Sequence, residues 1–424
     1  MKPMWVQRRW LLKGGFTALL GLIGGSSLAD VLVTDNDAIM GDDGVLAAQM
    51  RLGGLLIRHL AGHKEIGAVD GAKDNTNANV VVSPASLAAI LSLVDLGASP
   101  AMRRAIHRAL GFKRTARHKA EKDLREMRRS VSGIIAQSRK DGPLVLANLV
   151  AFDRAVDPKP LAMYGLSGAG ADVLVDHLAD AKVVDRINGW VKQKTHDLIP
   201  TIISEAPETL GLVAINALYF KDKWQTPFRP SSTQAQPFQT TSGKPVEVQM
   251  MHSKVAPFRF RQDDRFVAAE LGYQNKNFRL VVATTKSVPA PAPEFAAVAG
   301  WLNGQGFEAR DGEIALPKLT LSAAGELLPA LDALGLAAER HSPDALEGFS
   351  DEPLTISRIL QKIELRVSEE GTEGAAATAV MTTRGIGISD HIRMVVDKPF
   401  VFALRDEKTG LILFMGYVGA PPRA

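Results

Sequence analysis

No cysteine occurs anywhere in the 424 residues. Disulfide staples, thiol catalysis and cysteine-ligated zinc are therefore excluded, and the fold must depend on its core. Aromatic residues amount to only 6%, and residues 369–383 contain neither an aromatic side chain nor a proline. A long apolar run is missing too. Residues 16–23 supply about half of the ~20 apolar residues that a spanning helix needs, so no membrane anchor is expected. The chain has no repeat of fixed period and no glycine-rich phosphate loop. His59 and His63 stand four apart, as zinc ligands on a helix do, but Leu60 occupies the place of the catalytic glutamate and no third ligand is evident. Gly165-Leu166-Ser167-Gly168 lacks the spacing of a nucleophile elbow. These absences argue against an enzyme and against any metal or cofactor.

What is present is ordinary globular composition, 46% hydrophobic and 23% charged. The length exceeds the roughly 250–300 residues at which single cores usually stop growing, so two domains are the default. No linker supports that division. The only proline-rich stretch, 288–293, is short and lies between a strand-like segment, 278–284, and a helix-like one, 293–302. A single large mixed α/β unit is expected.

The first 29 residues read as an export signal. Arg8-Arg9-Trp10-Leu11-Leu12-Lys13 precedes the apolar run, and Ser27-Leu28-Ala29 is a small-residue site with cleavage before Asp30. The paired arginines resemble the bacterial twin-arginine signal, with an ordinary Sec-type signal as the alternative. Residues 30–44 would then be a mature N-terminal extension, and the protein periplasmic or extracellular.

A net charge of +4 hides an asymmetry. Residues 103–129 carry 11 Lys and Arg against 3 acidic residues, an excess of +8, so the rest of the chain is −4. Arg117, Glu121, Arg125 and Arg128 share one helical face, with Leu110, Leu124 and Met127 available for the buried side. Two readings stay open: a polyanion site in which phosphates or sulfates displace counterions, or a solvated helix face.

Helices are expected at 45–63, 83–96, 183–196 and 327–336. The second has Ser83 as N-cap and Pro84 in the first helical position, and the last is closed by Gly335. Strands are expected at 145–152, 212–221, 246–251, 265–271, 279–284, 312–321, 361–368, 392–396, 400–405 and 411–418. The strand at 212–221 is apolar on both faces apart from Asn216, which needs hydrogen-bond partners if buried.

Residues 369–383 read Glu-Glu-Gly-Thr-Glu-Gly-Ala-Ala-Ala-Thr-Ala-Val-Met-Thr-Thr. Alanine favours helix, so an alanine-rich surface helix is the plain reading of these residues by themselves. At period two, however, Thr372, Gly374, Ala376, Thr378, Val380 and Thr382 form a nearly charge-free face that a sheet could accept. Arg384, Gly385 and Ile386 follow as a flexible tip attractive to proteases.

The wider chain decides between these. Asn79-Val-Val-Val-Ser83-Pro84-Ala-Ser86-Leu87, Ile187-Asn188-Gly-Trp190-Val191 with Thr195, Ala214-Ile-Asn216-Ala-Leu-Tyr-Phe220-Lys221-Asp-Lys-Trp224 with Phe228 and Thr233, Met250-Met251, Leu316-Pro317-Lys318, Glu369-Glu370-Gly371-Thr372-Glu373, Lys398-Pro399-Phe400 and Phe414-Met415-Gly416 occur in this order. Together they resemble the serpin family, over about residues 45–421. The resemblance implies an α+β unit with three β-sheets, eight or nine helices and an exposed reactive-centre loop at about 369–391. It also implies a monomeric suicide inhibitor of serine proteases, without cofactor, whose cleaved loop inserts into the main sheet. A serpin that binds without inhibiting is the alternative.

The resemblance assigns residues as well. The hinge comprises Glu369, Glu370, Gly371, Thr372, Glu373, Gly374, Ala375, Ala376 and Ala377, with Thr372 the first side chain to turn inward. Gly374 departs from the family's usual alanine. Counting fifteen residues from Gly371 places the scissile bond between Gly385 and Ile386, which suits an elastase-like or subtilisin-like target. Arg384, one residue earlier, suits a trypsin-like one. Ser83, Ser86, Asn216, Gln361 and Trp224 correspond to residues that control strand separation, with Glu369 and Trp224 near the upper end of the gap. Gln361 replaces a histidine, so any pH dependence from that group should be absent.

Overall fold

The long apolar runs become the central strands of two hydrogen-bonded networks. A computed structural model describes residues 44–61, 79–113, 117–138, 142–207, 211–241, 243–287, 295–372 and 391–421. The seven-stranded sheet contains β2 (Leu144–Asp153), β3 (Asp172–Asp176), β4 (Leu212–Phe220), β5 (Asp222–Lys223), β12 (Leu319–Glu326), β13 (Ile356–Val367) and β14 (Gly371–Thr372). Its path runs β3-β2-β4-β13-β14-β5, with β12 on the far side of β13. Every residue of β2 and β4 is buried, because the sheet is covered on both faces.

The alternation of side chains on β4 shows how. Leu212, Ala214, Leu218 and Phe220 join the main core, while Val213 and Ile215 pack with Val183 and Ile187 of the helix Lys182–Lys194. The helix Pro84–Val94 lies in that main core with all eleven residues buried. Asn148, Asn216 and Gln361 fall on the same alternate positions as the main-core residues of their strands. The two middle asparagines and the glutamine therefore face the helix that Ser83 caps.

The second network has ten strands: β1 (Asn79–Val82), β6 (Gln234–Gln239), β7 (Pro245–His252), β8 (Ala256–Gln262), β9 (Phe266–Gly272), β10 (Phe278–Thr285), β11 (Glu308–Pro317), β15 (Ile392–Val395), β16 (Phe400–Asp406) and β17 (Leu411–Val418). Two of the three expected sheets are fused here. The joint is β11, which pairs with β8 through Glu308–Gly312 and with β7 through Ala315–Pro317. Gly312 stands at the crossing, where a Cβ would meet the Phe260 ring at 2.5 Å and the Ile392 carbonyl at 2.6 Å.

Two expectations are corrected. The single strand at 312–321 is two, β11 and β12, which belong to different networks and break at Lys318. The apolar run 314–317, followed so closely by Leu319 and Leu321, reads as one strand, although the alternation changes phase at Lys318. The helix at 327–336 is a short turn, Leu328–Leu331, that widens over Asp332–Leu336 and resumes at Ala337–Arg340. Gly335 takes the left-handed φ of 98° expected of a helix stop, but the chain coils on past it. The helices Pro100–Ala109 and Pro160–Gly168 were not anticipated.

Candidate functional site

The site is the gap between β4 and β13. These strands run parallel, paired from Leu212 opposite Ile356 to Tyr219 opposite Glu364. Beyond Glu364 they part. Gly371 and Thr372 occupy the space: Thr372 lies opposite Val367 of β13 on one side and Asp222 of β5 on the other, and Gly371 lies opposite Lys223. Both pairings are antiparallel. No larger residue fits at 371, since a Cβ there would stand 2.1 Å from the Asp222 carbonyl oxygen. Thr372 is fully buried, and its hydroxyl meets that of Tyr273 at 2.7 Å.

A set of contacts holds this wedge. The backbone N–H of Trp224 donates to the Glu370 carbonyl, its indole N–H to the Ser368 carbonyl, and the N–H of Phe228 to the Glu369 carbonyl, each at 2.8 Å. The Trp224 ring stacks on Tyr273 with centroids 4.5 Å apart. The Glu369 carboxylate accepts from the Thr233 hydroxyl at 2.9 Å and pairs with Lys318 at 3.1 Å. Partial burial by itself would raise the Glu369 pKa, but its own backbone N–H, Lys318 and Thr233 outweigh this and hold the carboxyl below its ordinary value. Burial pushes the Tyr273 phenol far up, so it stays a neutral hydroxyl beside Thr372. Sequence reasoning missed Tyr273: its partner is 99 residues away, and nothing in Gly272-Tyr273-Gln274 marks it out.

Lower in the gap the expected polar cluster is present in two pieces. Ser83 caps its helix by accepting from the Ser86 N–H at 3.1 Å and donates to the Ser86 hydroxyl at 2.9 Å. Gln361 donates to the Ser83 carbonyl at 3.4 Å, a long bond. Separately, Asn216 donates to the side-chain carbonyl of Asn148 at 2.7 Å. Asn216 stands in register with both Gln361 and Asn148. The other halves of this amide pair, Asn216 Oδ1 and Asn148 Nδ2, are buried without a partner among the described residues. Asn148 carries the same sequence signal as Asn216, a lone amide inside an apolar strand, and was overlooked. Trp224 belongs to the upper wedge and not to this lower group. Glu373, Gly374, Ala375, Ala376, Ala377, Arg384, Gly385 and Ile386 lie outside the described residues.

The basic segment divides likewise. Arg125 and Arg129 are exposed on the helix Arg117–Gln137. Arg128 is committed to the buried Asp95, which Arg103 also binds at 2.8 Å, so Arg128 is partly structural. The side chain of Arg117 lies outside the described residues. Beneath the helix, buried His107 meets buried Asp123 at 3.2 Å and stacks on Phe112. Burial lowers the His107 pKa and, aided by Arg108 and Lys119, outweighs the opposing effect of Asp123. Among the described residues no group of three His, Asp or Glu is placed to hold a metal. His63 lies outside them.

The family model for Serpin (serine protease inhibitor) matches residues 70–421. The chain belongs to the serpin family. Serine protease inhibitor 42Dd of Drosophila melanogaster is 31% identical over 362 residues, which cover 82% of this chain and 93% of that one. Among solved structures, native protease nexin-1 with heparin superposes at a TM-score of 0.69 with 22% identity, covering 89% of this serpin and 100% of that chain. Human thyroxine-binding globulin superposes at 0.75 with 21% identity, covering 89% and 99%. These two establish the serpin fold alone. The family is one of protease inhibitors rather than enzymes.

Proposed function

We propose that this serpin is a suicide inhibitor of serine proteases. The target's serine attacks a loop carbonyl, the peptide C–N bond breaks, its nitrogen takes a proton, and an acyl-enzyme remains on the upstream half. That half then enters between β4 and β13 and carries the enzyme away before water releases it. The observation that carries this reading is the wedge. Gly371 and Thr372 already lie between β13 and β5, antiparallel to both, which is the sense in which an added strand would run.

Insertion would replace one parallel ladder with two antiparallel ones, the more stable pairing per residue. Each new backbone bond is worth about 1 kcal/mol net, against roughly 1–2 kcal/mol of backbone entropy for each residue ordered. The margin is narrow, so inward side chains must be neutral. Gly374, Ala376 and Thr378 meet that condition, although Gly374 adds roughly 0.5–1 kcal/mol of ordering cost relative to alanine.

Incubation with trypsin, elastase and subtilisin, followed by denaturing gels, tests the reading. A covalent adduct is expected; clean loop cleavage without one would replace it with a serpin that binds but does not trap, as the fold shared with thyroxine-binding globulin allows. Mass spectrometry of the released fragment decides between Arg384 and Gly385 as the acylated residue, and so between a trypsin-like and an elastase-like or subtilisin-like target. We further assign polyanion binding to the exposed part of the basic helix, with Arg125 at its centre. Its support is the charge excess of 103–129 and the fold shared with a nexin solved with heparin. Elution from immobilised heparin at unchanged salt after Arg125→Ala would remove it. Export through the signal at 1–29 belongs to the same proposal and is tested by N-terminal sequencing of the mature protein.

A further inference from the structure

Next to the wedge lies a cavity of about 160 Å³, lined among others by Gln225, Arg259, Glu270, Gly272 and Arg279. It is smaller than pockets for drug-sized ligands, roughly 300–1,000 Å³, and holds the volume of about five waters at ~30 Å³ each. Its charge is unbalanced. Buried Glu270 receives Arg259 on one oxygen at 2.8 Å and Arg405 on the other at 2.6 Å. The third guanidinium, Arg279, is left 3.7 Å from Glu270 and 3.7 Å from Glu407, beyond hydrogen-bond range. Its one hydrogen bond among the described residues is to the carbonyl of its neighbour Phe278 at 3.1 Å. Three guanidinium groups thus face two carboxylates. In the same cluster Arg405 Nε is buried with no acceptor among the described residues.

We propose that this cavity binds a small oxyanion of the phosphate or carboxylate kind on Arg279, and that the bound anion braces the wedge. A guanidinium fork matches such oxygens in pairs, and partial burial, with Arg279 only 20% exposed, strengthens the attraction. The coupling follows from the cavity wall. Gln225 and Gly272 are joined by a backbone hydrogen bond of 2.8 Å, and each is the chain neighbour of a wedge residue, Trp224 and Tyr273. The Gln225 side chain and the Arg279 guanidinium converge over Gly272, where a Cβ would stand 2.7 Å from one and 3.1 Å from the other. An anion on Arg279 fixes this wall and so holds the stacked pair that grips Thr372. The brace deepens the insertion reading; the binding itself does not depend on it.

Both parts are measured on the uncleaved full chain without a protease, so a failed inhibitor and a failed anion site are read separately. Calorimetric titration at constant ionic strength uses inorganic phosphate in one arm and malonate in the other. Saturable one-site binding of at least one is expected, weakened at least tenfold by Arg279→Gln and less than twofold by Arg125→Gln on the basic helix. Gln225→Ala, on an exposed side chain, serves as the second variant and should weaken binding about threefold. Occupancy should slow amide exchange of residues 369–372 severalfold. Absence of binding by both anions, binding that survives Arg279→Gln in a folded variant, or binding abolished by Arg125→Gln overturns the site. Binding with unchanged exchange overturns the brace.

Discussion

The two ends of the β4–β13 gap are held in opposite ways. At the upper end the wedge is gripped by stacked aromatic rings, by backbone hydrogen bonds from Trp224 and Phe228 and by an ion pair on Glu369, and a single wedge atom, Glu370 Oε2, is buried without a partner among the described residues. At the lower end the strands touch directly, but the polar groups behind them are poorly satisfied: one amide bond leaves two buried atoms unpaired, and Gln361 reaches Ser83 only at 3.4 Å. A buried polar atom without a partner costs about 1–3 kcal/mol. The upper end therefore has many directional contacts and the lower end few, which suits the proposed insertion, in which the strands part below a wedge that stays in place.

The largest break in this comparison should come from Trp224→Ala. Losing a buried tryptophan costs about 3–5 kcal/mol, and here it also removes the ring and the indole donor that hold the hinge. A lower Tm and rapid amide exchange at 369–372 are expected; exchange unchanged from the parent would show that the wedge does not need the ring. Next comes Thr372→Arg, which places a guanidinium where the parent threonine is fully buried. Stoichiometry against the best target should rise at least tenfold as the protein becomes a substrate, and an unaltered stoichiometry would refute the inward role of that side chain. Replacing the lower amides together, Asn148→Leu with Asn216→Leu, should raise stability by about 1–2 kcal/mol, because both partners are removed and no orphan is left. Denaturant midpoints measure it, and slower trapping should accompany the gain.

Smaller effects concern pH. His107 has a depressed pKa, so protonation favours the unfolded chain; its contribution is complete above the ordinary 6.5 and declines as pH falls below that value. His107→Gln should flatten this part of a Tm-against-pH profile. Glu369 has the depressed carboxylate pattern: its contribution is present above 4.5 and is lost as pH falls through the lower folded value. Lys318→Met should shift that loss toward higher pH, and a profile that does not move would mean Lys318 does not matter at the upper end.

Much of this was legible in the residues. The alternation of 145–152 located β2 and the apolar run of 212–221 located β4, each within one residue at each end, the second because a strand covered on both faces has no polar side to confuse the pattern. Ser83 before Pro84 marked a helix start, and Asn216 announced a buried polar network. The corner at Lys318 was hidden because apolar residues lie close on both sides of it, and the one trace of the change of sheet is the shift of alternation from Ile314 and Leu316 to Leu319 and Leu321. Tyr273 and the Arg259, Arg279 and Arg405 cluster were invisible because their partners lie on distant strands. The hinge was legible as a segment acceptable to a sheet, but that it already sits in one at Gly371 and Thr372 depends on the parting of two strands, which no local pattern encodes.

One consequence follows from where β15 lies. It begins only seven residues beyond Gly385, at Ile392, pairs with β11 from Gly312 to Ala315, and leads into β16 and β17, whose residues are almost wholly buried. After a cut at the tip, the downstream piece is a separate molecule by covalent bonding yet remains sewn into the body, and it should leave only under denaturing conditions. The two ends made by the cut are thus unequal. The downstream end is moored through β15, so under the proposed mechanism only the upstream half could travel, and it is the half to which the attacker would be bound.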